Sequence, residues 1–346
     1  MPLVRGIKTS CDDTACALVD GAGRVLSSVV SSQLAAHRPY GGVVPEIASR
    51  EHLANWPAVS GEALERAGLA VADLDLIAAT RGPGLVGALL VGLSLGKALA
   101  FGLGRPFYAV HHLEGHLYSP FLGEDGEAAE PPARFTGLVI SGGHTSLFGV
   151  EGAQVTTLGE TRDDAMGEVF DKVGKRLGLA YPQGPKVDAL AERGDAARHR
   201  FPVPSCGDGN LDFSYSGLKS QALQAIEKLE RQAGPPEDPA DPPAPYLDLL
   251  AGFRAAAVGQ VLARLGQLHR ARPFDLLAVS GGAAANRLLR RELPAWATDR
   301  GVDLRLVPLR YSGDNAAMIA YAALLRHRRG EPGDPFAAEA ESRIPL

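Results

Sequence analysis

One plan of elements occurs twice along this chain, and it limits the fold more than any other feature. Residues 3–7, 15–19 and 24–30 are short apolar runs joined by tight turns, the last through Asp20-Gly21-Ala22-Gly23. A further strand, 74–79, leaves through Thr80-Arg81-Gly82-Pro83-Gly84 into a long helix of small residues. The second half has strands 135–141, 146–150 and 155–158, and its resemblance to the first is faint. Ser141-Gly142-Gly143-His144-Thr145-Ser146 sits between strands as the polar turn Thr9-Ser10…Thr14 does, and strand 274–279 later exits through Ser280-Gly281-Gly282 into a helix. The class is α/β. Two rounds of the plan imply two similar lobes facing each other across a nucleotide cleft. Any α/β chain repeats strand, glycine and helix to some degree, so the pattern alone leaves duplication open.

The remaining elements fit around this frame. Helices are expected over 45–67, with Pro45 well placed in a first turn, and over 164–177, 216–230, 246–268 and 315–326. Strands are expected at 107–110 and 304–307. The acidic, proline-bearing stretch 123–132 reads as the connection between lobes, and the proline-rich stretch 234–245 as a loop that cannot be helical. The expected domains are residues 1–133, with the C-terminal helix and tail (about 316–346) packed on them, and residues 134–315.

The 346 residues are 45% hydrophobic, enough for two cores. A net charge of −5 shows no overall tuning for a polyanion, but a local basic patch stays open, so RNA is not excluded. Cys11, Cys16 and Cys206 are odd in number and form no Cys-x-x-Cys, which argues against a disulfide framework or a zinc ribbon. The chain opens directly on a strand-like run, without a charged leader and apolar core. The longest apolar stretch, 85–103, carries Lys97 and several glycines and reads as a buried helix rather than a membrane span. A soluble cytoplasmic enzyme with no membrane partner is the expectation.

Chemistry concentrates in a few places. His112 and His116 are four residues apart, so a helix would put both on one face, able to share a metal ion. Two ligands are too few. Asp314, at a loop-to-helix junction, is the best third candidate, although the same position suits a plain helix cap. Glu114 follows the first histidine by two, so this is not the His-Glu-x-x-His of zinc proteases. Ser141-Gly142-Gly143 and Ser280-Gly281-Gly282 each follow a strand, where glycine lets backbone amides approach phosphate. Neither loop matches the P-loop or the dinucleotide fingerprint. Asp12 and Asp13 lie in a hairpin turn where a carboxylate could face a metal–phosphate group. Asp163, Asp164, Glu168 and Asp171 read by default as a solvated helix face. Lys172/Lys175/Arg176, Arg287/Arg290/Arg291 and 326–329 could touch phosphate, although solubility is the usual explanation, and Cys11 reads as packing.

Taken together, Gly6-Ile-Lys-Thr-Ser-Cys-Asp-Asp-Thr14, Tyr40 to Arg50, Gly82 to Gly92, His111-His-Leu-Glu-Gly-His116, Val139 to Thr145, Phe213 to Lys219, Ser280 to Arg287 and Asp314 to Tyr321 resemble the bacterial tRNA adenosine threonylcarbamoyltransferase family. The resemblance implies two ribonuclease-H-like lobes of the actin, sugar-kinase and chaperone-ATPase type. It implies transfer of threonylcarbamoyl from threonylcarbamoyl-adenylate to N6 of the adenosine beside the anticodon, in tRNAs reading A-starting codons, with release of AMP. It also implies one divalent metal on His112, His116 and Asp314, with iron expected and zinc as the alternative, and the adenylate on Val139, Ile140, Ser141, Gly142, Gly143, Asp171, Gly184, Asp188 and Asn286. The implied partners are a paralogous pseudo-enzyme (TsaB-like), a small ATPase (TsaE-like) and an upstream adenylate-forming synthase.

Two positions depart from the family pattern. Lys8 replaces the glutamate of Gly-Ile-Glu-Thr-Ser, which reverses a charge near the expected site and leaves Asp12 or Asp13 to supply any catalytic carboxylate. Gln183 replaces a glycine and is expected to strain its loop by ~1 kcal/mol if that glycine needed positive φ. A small-molecule kinase of the same fold and a nucleotide-gated scaffold are the alternatives, and a metalloprotease is disfavoured by the missing motif.

Overall fold

A computed structural model describes residues 1–123, 128–204, 207 and 209–346. Its elements in chain order are β1 Val4–Lys8, β2 Asp13–Val19, β3 Val25–Ser32, α1 Leu34–His37, α2 Pro45–Ala67, β4 Leu76–Gly82, α3 Val86–Leu103, β5 Phe107–His111 and α4 His112–Tyr118. They continue with β6 Arg134–Ile140, β7 Thr145–Glu151, β8 Gln154–Glu160, α5 Met166–Arg176, α6 Gly184–Ala191, α7 Ser216–Ala233 and α8 Ala244–Ala271. The last are β9 Leu276–Ser280, α9 Arg287–Thr298, β10 Asp303–Leu306, α10 Leu309–Ser312 and α11 Ala317–Arg328. The chain divides into two compact units, Met1–Pro132 with Val307–Leu346, and Ala133–Leu306. The chain therefore re-enters the first unit at residue 307, ahead of the 316 expected from sequence, so Asp314 falls in the first unit and not the second. Part of the expected 123–132 connection, and Cys206, lie outside the described residues.

The duplication is real at the level of topology. One sheet runs β3-β2-β1-β4-β5 and the other β8-β7-β6-β9-β10. In both, the first three strands are antiparallel neighbours. The other two continue parallel to the first. Parallel pairing needs crossover connections, which is why helices stand between these strands in sequence.

Close approach governs the first unit. β1 is buried throughout and alternates its faces. Ile7 belongs to the core that includes Leu93 of α3 and Phe107 of β5. Gly6 faces α11, where a Cβ would come within 2.2 Å of the Ala316 carbonyl oxygen. Only glycine lets the start of α11 lie directly on β1. Gly115 of α4 is tight against Met318 and Ile319 of α11 for the same reason. In the second unit one large cluster joins β6, β7 and β9 to helices α5 to α9 around Phe170, Phe253 and Leu289.

Both α3 and α8 are long and apolar enough to cross a membrane by length and composition. In the most apolar 18-residue stretch of α8, 72% of the residues are buried, whereas 33% of α3 is buried, and α3 exposes Val86, Leu90 and Phe101. α3 is thus less enclosed than its sequence suggests, because it covers the sheet with one side only. α6 and α4 are helices that periodicity does not single out, being only 8 and 7 residues long.

A buried polar network braces the first hairpin. The Thr14 hydroxyl and the Gln33 amide lie 2.7 and 3.1 Å from His52 Nδ1, and His52 Nε2 lies 3.0 Å from the Cys11 carbonyl oxygen. Nδ1 therefore accepts, Nε2 donates, and the ring is neutral. Burial pushes its pKa down from 6.5 to about 4. The unfolded chain then takes up a proton at His52 that the folded chain refuses, so stability falls as pH drops from 6.5 towards 4. Relative to a His52→Gln variant, the wild type should lose on the order of 3 kcal/mol across that window in denaturant melts. Parallel pH profiles would refute this.

Candidate functional site

The first unit gathers its reactive groups where β1, β5 and α11 meet. β5 ends at His111, and α4 starts at once, so His112 and His116 project from one face of a single short helix. Their rings stand nearly perpendicular with centroids 4.7 Å apart. Asp314 lies in the turn before α11, held close by the contact at Gly6. Its Oδ1 is 3.5 Å from His112 Nε2 and 3.2 Å from His116 Nε2. Ligand atoms of the three residues all lie within 4.8 Å of one another, a spacing that could hold a metal ion. The donor set, two imidazoles and a carboxylate with His116 fully buried, fits a transition-metal divalent ion. His116 Nδ1 is buried with no partner among the described residues. Ser10 Oγ is 3.5 Å from His112 Nδ1.

The Asp314 carboxylate faces the two histidines and Lys8. Near the start of α11 it is the neighbouring Asn315 whose Oδ1 accepts from the Met318 amide, at 3.0 Å. Asp314 is left to face the histidines. Burial alone would raise its carboxyl, but Lys8 and His112 hold it well below the ordinary carboxylate range.

Lys8 is the residue whose place the sequence left unresolved. It is fully buried, and its Nζ lies 2.6 Å from Asp314 Oδ2. Burial works against the ammonium, yet Asp314 and Asp13 more than offset it and hold its pKa above 10.5. Asp13 opens β2, and burial is the main force raising its pKa. The Asp12 carbonyl accepts from the Gln33 amide at 2.9 Å. Burial and Asp12 push the Cys11 thiol up to about 12, far from a nucleophilic thiolate, in keeping with its reading as packing.

The second unit brings its glycine loops side by side. β6 and β9 are parallel, with Val139 opposite Ser280, so Ser141-Gly142-Gly143 and Gly281-Gly282 leave adjacent strands at the same end. Gly281 has φ +93°, and a Cβ there would come within 2.3 Å of the Ile140 carbonyl oxygen. Gly142 and Gly143 have open space where a Cβ would project. The start of α5 closes on this loop, with the Met166 amide donating to Thr145 Oγ1 at 2.9 Å.

The other expected residues of this unit are tied together in pairs. Asp171 is no solvated face residue: its Oδ1 accepts the Gln183 and Gly184 amides at 3.0 and 2.7 Å, at the start of α6. Asp188 is buried, accepts from Arg254 at 3.1 Å, and takes the Arg287 amide at 3.0 Å. Asn286, next to Arg287, caps α9 through the Leu289 amide. Asp163 and Asp164 likewise do structural work, the first holding Ser214, Tyr215 and Ser216, the second Lys172 and Lys219. The basic clusters are largely paired internally, as Arg176 with Glu230, Arg291 with Glu192, and Arg326 with Glu331 and Asp334.

Comparison with known proteins gives this arrangement its context. The family model for tRNA N6-adenosine threonylcarbamoyltransferase (TsaD) matches residues 24–321. The chain belongs to that family. A relative of the same description from Pelobacter propionicus is 48% identical over 321 residues, 92% of this chain and 90% of its own. HypF of T. kodakarensis superposes with a TM-score of 0.60 at 15% identity, covering 95% of this chain and 48% of that one. Component A of the Acidaminococcus fermentans (R)-2-hydroxyglutaryl-CoA dehydratase gives 0.53 at 15%, covering 95% and 100%. At such identity the likeness shows the fold alone, an α/β fold of two ribonuclease-H-like units of the actin and sugar-kinase type.

Membership makes the chain a transferase that modifies tRNA, and the kinase, scaffold and protease readings find no support in it. One expectation drawn from the family pattern is overturned. Gln183 takes φ −87° and ψ −35°, an ordinary right-handed conformation, and no non-glycine residue has positive φ among the described residues. The glycine missing here is not needed, and the loop carries no strain on that account. The contact between Lys8 and Asp314 was invisible in sequence, since nothing in the spacing of residues 8 and 314 joins them.

Proposed function

We propose that the chain transfers threonylcarbamoyl from threonylcarbamoyl-adenylate to N6 of the adenosine 3′ to the anticodon in tRNAs that read A-starting codons, releasing AMP. The observation that carries the reading is the convergence of His112, His116 and Asp314 in a chain of this family. These three would hold one divalent metal, with Fe2+ preferred and Zn2+ the alternative for this donor set. When bound, such a metal would supply Lewis-acid polarisation of the donor's acyl group.

The chain's own residues supply the rest. Amides of Ser141, Gly142 and Gly143 suit an adenylate phosphate, with Val139 and Ile140 fixing the loop in the sheet. Asp171, Gly184, Asp188 and Asn286 are assigned to the nucleoside, their pairing through α6 and α9 giving them a rigid base. The donor is already activated as a mixed anhydride, so positioning substitutes for a protein nucleophile. Asp12 and Asp13 are the carboxylates assigned to the reacting end. Asp13, raised by burial, is the better placed of the two to accept a proton from the attacking amine.

A TsaB-like paralogue and a TsaE-like ATPase are the partners assigned, with an upstream synthase supplying the adenylate in the cytoplasm. The test is reconstitution with unmodified tRNA, threonine, bicarbonate, ATP and those partners, read by nucleoside mass spectrometry. Threonylcarbamoyladenosine should accumulate only when this chain is present. Its absence with partners proven on another family member would overturn the reading.

A further inference from the structure

Asp314 is shared between two kinds of positive group. Its Oδ1 lies 3.2 Å from His116 Nε2 and 3.5 Å from His112 Nε2, while Oδ2 lies 2.6 Å from Lys8 Nζ. Lys8 has no exposed surface; the Asp13 carbonyl oxygen is at the limit of a hydrogen bond at 3.5 Å, and the Asp13 carboxylate acts on the ammonium more weakly than Asp314 does. A buried ammonium needs an anion at hand, so Lys8 cannot release Asp314 without a large desolvation cost. The ammonium is thus set directly against the carboxylate of the triad.

We infer that Lys8 is an internal counter-ion that stands in for a metal at Asp314, so the triad keeps its form without a metal and binds a divalent ion only weakly. The inference rests on the triad being a metal site. Three consequences follow from charge and geometry. The carboxylate's charge is matched before any ion arrives. One of its oxygens is engaged, which limits Asp314 to a single ligating oxygen. A dication bound at Oδ1 would also be repelled by an ammonium on the other arm of the same carboxylate, with little water between them.

The experiment uses the full chain stripped with a chelator, and Zn2+ as the probe. Zn2+ affinity is measured by competition with a chromophoric chelator for the wild type, Lys8→Met and Lys8→Gln; glutamine keeps a hydrogen bond to Asp314 without the charge and guards against misfolding of the methionine variant. Both variants should bind Zn2+ at least about tenfold more tightly than the wild type. Zn2+ should also raise their thermal midpoints well beyond the rise it gives the wild type. His112→Ala serves as the reference for the triad. If wild type and both Lys8 variants bind within twofold of each other while His112→Ala loses binding, the inference about Lys8 is wrong. If His112→Ala binds Zn2+ as the wild type does, the metal reading beneath it fails instead.

Discussion

Replacing His116 by alanine should remove the metal site and lower threonylcarbamoyl transfer by about two orders of magnitude, the scale expected when a metal's contribution of several kcal/mol is lost. His116 is fully buried, faces Asp314 Oδ1 at 3.2 Å, and packs edge-on against His112. Its removal leaves one imidazole and one carboxylate, too few to hold an ion against water. The fold should suffer less than for most buried side chains of its size, because Nδ1 already lacks a partner and so no second hydrogen bond is lost. Metal content by elemental analysis, transfer by nucleoside mass spectrometry and a thermal melt together separate the two effects. A variant with an unchanged melt and full transfer would remove the triad from the reaction.

The second large effect falls in the other unit and is one of stability. Gly281→Ala places a Cβ within 2.3 Å of the Ile140 carbonyl oxygen at a residue with φ +93°. With ψ 159°, the backbone here lies in a positive-φ extended region open essentially to glycine alone and costs another residue about 1–3 kcal/mol. The forced separation of β6 from β9 adds to it, so a loss of roughly 3 kcal/mol or more is expected. Gly143→Ala meets nothing within 4 Å and should change stability by no more than about 0.5 kcal/mol. The two tryptophans make the measurement local, since Trp56 lies in the first unit and Trp296 in the second. Denaturant melts in a Trp56→Phe background report the unit that holds Gly281. Equal midpoints for the two glycine variants would show that the tight contact is not real.

These cases also mark how far the sequence could be read. The His112/His116 pair was legible because a four-residue spacing on a helix is a local fact. The paired sheets were only half legible, because glycine exits after strands repeat but do so to some degree in any α/β chain; the matching strand orders settle it. Asp314 was legible only as a candidate, since a carboxylate before a helix suits a cap equally well; only the folded chain shows that Asn315, not Asp314, accepts from the Met318 amide. The Lys8 contact could not be read, because it depends on α11 lying flat on β1 at Gly6, a tertiary approach that joins residues 306 apart in number. Gly281 and Gly143 look alike in sequence, and only backbone conformation separates the one that must be glycine for packing. Asp171 and Asp188 reach their partners through α6, a helix too short for periodicity to reveal.

The route of the chain through its two units bears on synthesis as well as on structure. The first unit is left at Pro132 and resumed only at Val307, with the whole second unit between. A nascent chain therefore carries both histidines nearly 200 residues before it carries Asp314, the third member of the triad. Until residues 314–328 have been synthesised, β1 lacks α11 as its cover and Lys8 has no Asp314 to neutralise it. Completion of the triad is thus a late event in the life of each molecule, and a product terminated before residue 314 is left with β1 uncovered and Lys8 without its carboxylate partner.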